Sequence, residues 1–339
     1  MIFYDKKKNA NHNPKDLKFL KDLVTDARSD YSDNTFCVFK SINGLFYLIY
    51  PKFFNSIISY DIIDNKKLVI IKRAHKGRIV NLNHNLDKIN NRDLFISMSD
   101  DDLKFCIKLW NVNNFECILE LNNIQGYKIS SCFLNDNNSL YIITNYCPIE
   151  AINLEGNIVK KFKNDDGGIY SMDTFNDDKN SNIYIITGHK DLVKSYDYYK
   201  NKVYNKYQDN SGEKKSERYS IIINNNDSII KLIESSYDGY IRIWNFHKGL
   251  LLNKIKAGFG SMGICLWNNN YIFVGCCDKI IRLVELKKGY IIQRLTGHDG
   301  DVNCIKKINH PKYGESLLSI GISVFPRLSK IKLWVINYK

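Results

Sequence analysis

The chain has 339 residues, of which 44% are hydrophobic, 13% aromatic and 25% charged, with only 5 Pro and 19 Gly. This composition supplies ample apolar material for a core, and it excludes a disordered or collagen-like chain. The formal net charge is +13, but 40 of the 49 basic residues are Lys beside 41 Asn, which is typical of an AT-rich genome more than of a polyanion-binding protein.

The N-terminal residues divide into a tail and a segment with two interpretations. Residues 1–14 are polar and contain no apolar stretch long enough for a signal peptide, so we expect a solvated tail. Residues 15–28 fit an amphipathic helix, because Leu17, Leu20, Leu23 and Val24 fit one helical stripe. They also fit a strand near residues 17–24, which we favour because of the ring described below.

Beyond residue 35 the chain carries a repeated segment. Its strongest copy covers residues 235–245, where two short alternating strands flank an Asp-Gly turn. The Trp of this copy is Trp244, and the positions that take its place along the chain are Tyr60, Trp110, Ile152, Tyr196, Trp244, Val284 and Trp334. Their spacings are 50, 42, 44, 48, 40 and 50 residues. These spacings bracket the period of about 40 to 45 residues of a four-stranded propeller blade.

The repeats predict an all-β fold, a seven-bladed β-propeller of four-stranded antiparallel blades that forms one domain over residues 15–339. The approximate blades are 35–75, 76–122, 123–164, 165–208, 209–257, 258–296 and 297–339. Too few residues follow Trp334 to supply a last strand, so we expect a strand near residues 17–24 to complete the seventh blade. An open ring would leave an unpaired strand edge.

Over residues 35–339 the chain resembles the WD-repeat β-propellers. Three copies keep the Trp, Gly297-His298 and Ala74-His75 match the Gly-His dipeptide of that family, and Asp238 and Asp278 match its turn aspartate. The residue after each Trp is Asn111, Asn245 or Val335, so the Trp-Asp pair itself does not occur.

The resemblance implies a buried polar relay in which a His, a Ser or Thr, the turn Asp and the Trp indole satisfy one another. We expect these residues to serve structure and not catalysis. The matching residues are His75, Ser97 or Ser99, one of Asp100 to Asp102, and Trp110 in the second blade; Ser236, Asp238 and Trp244 in the fifth; Asp278 in the sixth; and His298, Ser319 and Trp334 in the seventh.

Function is expected on one face of the ring, the top, where the loops before the first strand and between the second and third strands emerge. The insertions cluster there, and a rigid scaffold that holds loops often uses them for recognition; unconstrained drift of surface loops is the alternative. The candidates for an aromatic patch with basic edges, suited to an acidic or phosphorylated segment, are Lys104, Tyr127, Tyr146, Arg218, Tyr237, Phe259, Phe325 and Arg327. The segment around Phe325 could equally fold over its own blade.

Motifs for chemistry are missing from the sequence. The nine cysteines form no C-x-x-C pair, the seven histidines are dispersed, and there is no Gly-rich phosphate loop. The sequence therefore predicts a non-catalytic scaffold for protein partners with no cofactor, a monomer within a larger complex, with reduced thiols, no membrane span and a cytoplasmic or, alternatively, nuclear location. The alternatives are a propeller enzyme with a central-channel metal, a phosphoinositide-binding propeller and a nucleic-acid-binding one.

Overall fold

A computed structural model describes residues 14–27, 34–53, 55–101, 104–125, 130–144, 148–163, 168–209, 216–226, 228–322 and 329–336. These residues form 28 strands in seven four-stranded antiparallel sheets, and the only helical element among them is a 3-10 turn at Pro14–Asp16. The predicted seven-bladed β-propeller is therefore confirmed. The predicted tail at residues 1–14 lies outside the described residues, apart from Pro14.

The blades are numbered along the chain, and the first strand of each lies nearest the axis of the ring. Blade 1 consists of β2 (Cys37–Lys40), β3 (Phe46–Lys52), β4 (Ser56–Asp61) and β5 (Lys66–Ile71). Blade 2 consists of β6 (Arg78–Asp87), β7 (Arg92–Asp101), β8 (Lys104–Asn111) and β9 (Cys117–Gln125). Blade 3 consists of β10 (Ser131–Asp136), β11 (Ser139–Thr144), β12 (Ile149–Ile152) and β13 (Ile158–Phe162).

Blade 4 consists of β14 (Ser171–Asp177), β15 (Asn182–Gly188), β16 (Leu192–Asp197) and β17 (Lys202–Gln208). Blade 5 consists of β18 (Arg218–Asn224), β19 (Lys231–Ser236), β20 (Tyr240–Asn245) and β21 (Leu251–Lys256). Blade 6 consists of β22 (Ser261–Asn268), β23 (Tyr271–Cys276), β24 (Ile281–Glu285) and β25 (Tyr290–Leu295). Blade 7 consists of β26 (Asp301–His310), β27 (Gly314–Ile322), β28 (Ser329–Ile336) and β1 (Leu17–Ala27). The outer strand of blade 2 extends past the predicted boundary at residue 122.

The N-terminal strand completes blade 7. β1 pairs antiparallel with β28, with Leu17 opposite Ile336 and Val24 opposite Ile331. The strand interpretation of this segment is thus correct and the helical one is wrong, and the strand is longer than the predicted residues 17–24. Pairing with β28 decides the outcome, because it gives the backbone groups of both strands hydrogen-bond partners that a separate helix would not supply to β28.

The core consists of seven apolar clusters, one between each pair of adjacent blades. One of them joins blade 7 to blade 1, where Leu23 and Val24 of β1 pack with Leu48 of β3 and Leu318 of β27. Seven blades in an open arc would share only six such boundaries. The seventh cluster therefore shows that the described residues form a closed ring.

No helix in the described part of the chain has the length and apolar character needed to cross a membrane.

Candidate partner-binding surface

The strand order defines two faces of the ring. Because neighbouring strands in a blade are antiparallel, the first strand begins and the second strand ends on the same face, the top. Tyr237 follows the second strand of blade 5, and Phe259 precedes the first strand of blade 6. Both residues therefore lie on the top face.

Blade 2 contains the His, Ser and Trp members of the predicted polar relay. The indole Nε1 of Trp110 donates to Ser97 Oγ at 2.7 Å, and Ser97 Oγ lies 2.6 Å from Nε2 of His75. Burial lowers the pKa of His75 to about 3, so its ring is neutral and Nε2 accepts from the hydroxyl. Of the two serines proposed, the relay includes Ser97, while Ser99 Oγ is buried without a hydrogen-bond partner.

Blade 7 repeats the arrangement. Trp334 Nε1 donates to Ser319 Oγ at 2.7 Å, and the same hydroxyl lies 2.7 Å from Nε2 of His298. Burial lowers the pKa of His298 to about 3. In both blades one serine hydroxyl satisfies two buried ring nitrogens, which leaves the histidine no free basic nitrogen at Nε2.

The turn aspartates whose side chains are described bond arginines and not the relay, while Asp102 and the side chain of Asp101 lie outside the described residues. In blade 2, Asp100 instead pairs with Arg78 at 3.3 Å. Asp238 in blade 5 accepts from Arg242 Nη2 at 2.6 Å, and Asp278 in blade 6 accepts from Arg282 Nη1 at 2.7 Å. The described relay contacts of blades 2 and 7 thus join His, Ser and Trp. Asp238 and Asp278 each hold an arginine of the third strand, and Asp100 pairs with Arg78 of the first strand.

Blade 5 departs from the predicted relay. Register places Glu234 opposite Arg242, as Ser97 is opposite Lys108 in blade 2, so Glu234 and not Ser236 holds the serine position. Ser236 Oγ instead accepts from Arg218 Nη1 at 2.6 Å. Burial raises the pKa of Glu234 to about 7, against the effect of the nearby Arg218 and Arg242 guanidiniums.

Trp244, the third relay residue predicted for blade 5, is buried opposite Leu232 on β19. Its ring packs edge-on against Tyr207 of blade 4, with ring centroids 6.0 Å apart. It therefore contributes to the apolar boundary between blades 4 and 5.

Blade 4 contains a polar pair that was not predicted from the sequence. Thr187 holds the position of Ser97, opposite Lys194, and its hydroxyl lies 2.8 Å from Nε2 of the fully buried His189. Burial lowers the pKa of His189 to about 4. The signal was available as Gly188-His189, although this histidine follows the second strand and does not precede the first.

Of the predicted partner-binding residues, the structure brings two together. The rings of Tyr237 and Phe259 lie 6.2 Å apart, with 45% and 68% of their surface exposed. Arg218 is buried and so offers no surface to a partner, which corrects its assignment as a contact residue. Lys104 is exposed at the start of β8 in blade 2. Tyr127, Tyr146, Phe325 and Arg327 lie outside the described residues.

The exposed pair continues inward as a line of rings. Tyr219 lies 6.0 Å from Tyr237, and Tyr170 lies 6.3 Å from Tyr219. We call Tyr170, Tyr219, Tyr237 and Phe259 the aromatic row; it crosses blades 4, 5 and 6 on the top face. Its two inner members were not predicted from the sequence. Tyr170 precedes the first strand of blade 4, and Tyr219 lies at the start of the first strand of blade 5.

Gly260 allows the chain at Phe259 to approach Tyr237 and Cys277 closely. Its φ of +56° is in the left-handed region, and a Cβ there would collide with the sulfur of Cys277 and lie 3.4 Å from the Tyr237 ring. Only glycine therefore allows the chain after Phe259 to pass this close to blade 5 and Cys277.

In the described residues, no group of three or more His, Cys, Asp or Glu side chains is placed to hold a metal ion.

Comparison with known proteins gives one short similarity. No protein-family model matches the chain. Over 68 residues it is 31% identical to the U3 small nucleolar RNA-associated protein 21 homolog of Schizosaccharomyces pombe, a match that covers 20% of this chain and 8% of that protein. The seven-bladed propeller and this similarity fit a WD-repeat propeller, and in general terms they support a scaffold for protein interactions.

Proposed function

We propose that this propeller is a non-catalytic scaffold that binds partner proteins through the top face at the aromatic row. The main observation that supports the proposal is the pair of exposed side chains Tyr237 and Phe259, whose ring centroids lie 6.2 Å apart on the closed propeller. Aromatic side chains are enriched in protein interfaces because they bury large areas with few rotatable bonds. The proposal places the protein in the cytoplasm or the nucleus.

The internal polar groups support a non-catalytic role. The histidines of blades 2 and 7 are buried, neutral and bonded to serines that also bind tryptophan. A general base must reach its substrate, and these nitrogens face the interior of their own blades. The same residues account for blade stability without a substrate.

The proposal is tested by affinity purification of a Tyr237→Ala and Phe259→Ala double variant. Tyr290→Ala is the matched control, because Tyr290 is 66% exposed but begins an outer strand at the opposite face. We expect the double variant to lose at least one partner that the wild type and the control retain. Identical partner sets for all three proteins, or turnover of a small molecule by the purified protein, would contradict the proposal.

The segment at residues 324–328 remains a separate prediction. If it adds to the interface, replacing Phe325 by Ala and Arg327 by Glu lowers the recovery of the same partners. Unchanged recovery of every partner would remove that segment from the interface.

A further inference from the structure

The arginines next to the aromatic row are already engaged inside their blades. Arg218 is buried, with Nε 3.3 Å from Glu234. Arg242 is also buried and donates to Asp209 at 2.9 Å, and Arg282 binds Asp278. Three guanidiniums that would attract an acidic segment are therefore held by carboxylates of the protein itself.

Carboxylates, in contrast, flank the row at the surface. Tyr219 donates its hydroxyl to Glu217 Oε2 at 2.5 Å, so this carboxylate lies beside the second ring of the row. On the other side, burial and the neighbouring Asp301 carboxylate raise the pKa of the Cys277 thiol to about 12, and this thiol lies against Gly260. Asp278 and Asp299, on the top of blades 6 and 7, are already paired with Arg282 and Lys330, so the carboxylates that count toward the row are those of Glu217 and Asp301.

Exposed aromatic faces and carboxylates share a preference for cations. The face of an aromatic ring carries negative potential, and a lysine or arginine placed over it gains more when a carboxylate is near. The protein's net charge of +13 opposes this, but at physiological salt the interaction between exposed charges is largely screened beyond a separation of about 8 Å. Contact chemistry at the row therefore favours a positive group.

We propose that the aromatic row binds a basic segment of a partner protein, with a lysine or arginine side chain against Phe259 and Tyr237 and within reach of Asp301 and Glu217. This inference rests on the proposed function and names its partner class. It replaces the acidic or phosphorylated segment expected from the sequence, because that expectation relied in part on Arg218, which is buried.

The positive charge of one lysine opposes the binding of a basic segment at the proposed site. Removing that charge should therefore strengthen binding, whereas removing a carboxylate should weaken it. The exposed Lys279 lies close enough to Asp301 to affect its titration. Lys279 has a φ of +67°, a conformation that asparagine accepts more readily than most residues. Lys279→Asn therefore removes a positive charge without straining the turn, and it should strengthen the binding of a basic segment.

The experiment uses immobilised random nonapeptides whose central residue is fixed as Arg, Lys, Asp or phosphoserine, probed with the full-length protein at physiological salt. We expect Arg- and Lys-centred peptides to be retained about tenfold more than the acidic sets. Phe259→Ala and Asp301→Asn should abolish this preference, Lys279→Asn should increase it, and Phe259→Tyr and Tyr290→Ala should leave it unchanged.

Preferential retention of Asp- or phosphoserine-centred peptides would overturn the inference, and so would equal retention of basic peptides by Asp301→Asn. The Tyr237→Ala and Phe259→Ala variant could lose co-purified partners while the wild-type protein shows no preference for basic peptides. That combination would refute this inference and leave the proposed function intact.

Discussion

At the scale of single residues, one hydroxyl group stabilises each complete relay. Ser97 accepts from Trp110 and donates to His75, so two buried nitrogens depend on a single oxygen. A buried polar atom without a partner costs more than an ordinary hydrogen bond contributes, because its desolvation is not offset. Loss of this serine hydroxyl should therefore lower the free energy of unfolding by more than the loss of one ordinary hydrogen bond.

The matched serines of β7 test this cost. Ser97→Ala should lower the free energy of unfolding by about 2 to 3 kcal/mol, because it leaves both nitrogens unsatisfied. Ser99 is equally buried, but its hydroxyl has no partner, so Ser99→Ala should be neutral or slightly stabilising. Urea unfolding of the two variants and the wild type measures both effects, and equal losses for the two serines would refute the relay as the cause.

The position of Glu234 explains why the sequence misled in blade 5. Ser97 precedes Trp110 by 13 residues and Ser319 precedes Trp334 by 15, while Glu234 precedes Trp244 by only 10, because a tight Asp-Gly turn joins β19 to β20. Sequence distance to the Trp therefore changes with turn length. Strand register does not depend on turn length, and it places Ser97, Ser319 and Glu234 at the same position of their blades.

At the scale of strands, β1 closes the ring. Its buried residues Leu23, Val24 and Ala27 pack with β3, β27 and β28, so the first residues of the fold lie against the last. Asp22 strengthens the pairing by accepting from Lys332 on β28 at 2.5 Å. The strand contributes both backbone partners for β28 and apolar surface for the boundary with blade 1.

Two substitutions on β1 distinguish the loss of buried apolar contacts from the effect of adding a charge to the strand. Val24→Asp places a carboxylate at a position that is 4% exposed, and we expect it to lower stability by more than about 3 kcal/mol. Leu20→Asp, on the same strand but 38% exposed, should change stability by less than about 1 kcal/mol. Thermal unfolding monitored by circular dichroism distinguishes them, and similar melting temperatures would mean that the ring does not depend on β1.

At the scale of the whole molecule, buried titratable groups set the pH dependence of stability. His75, His189 and His298 have pKa values lowered by burial to about 3, 4 and 3. Below their ordinary pKa of about 6.5 the unfolded chain binds protons that the folded ring does not, so stability falls as the pH falls. Glu234 has the opposite sign, because its raised pKa makes the folded state bind a proton first.

We therefore expect acidification from pH 7.5 to 5.5 to destabilise the ring, with each of the three histidines contributing about 1 kcal/mol. His298→Asn should lose less stability over this interval than the wild type, although it is less stable at pH 7.5. Glu234→Gln should lose more, because it removes the compensating carboxyl group. Urea titrations at the two pH values provide the test, and parallel losses in all three proteins would contradict it.

The sequence alone established the number of blades, the four strands in each and the need for an N-terminal closing strand. These features follow from periodicity and from the requirement that strand edges be paired, and neither depends on the identity of any single side chain. The resemblance to the WD-repeat propellers, and not the periodicity, narrowed the relay serines to two in blade 2 and to Ser319 in blade 7.

The tertiary structure decided which side chains meet. Arg218 was expected at the surface and is buried, because Glu234 and Ser236 on the neighbouring strand provide its partners inside the blade. The aromatic row combines rings from three blades that are up to 89 positions apart in the chain, from Tyr170 to Phe259. Side-by-side packing of consecutive blades brings such residues together, and local sequence carries no record of distances across blades.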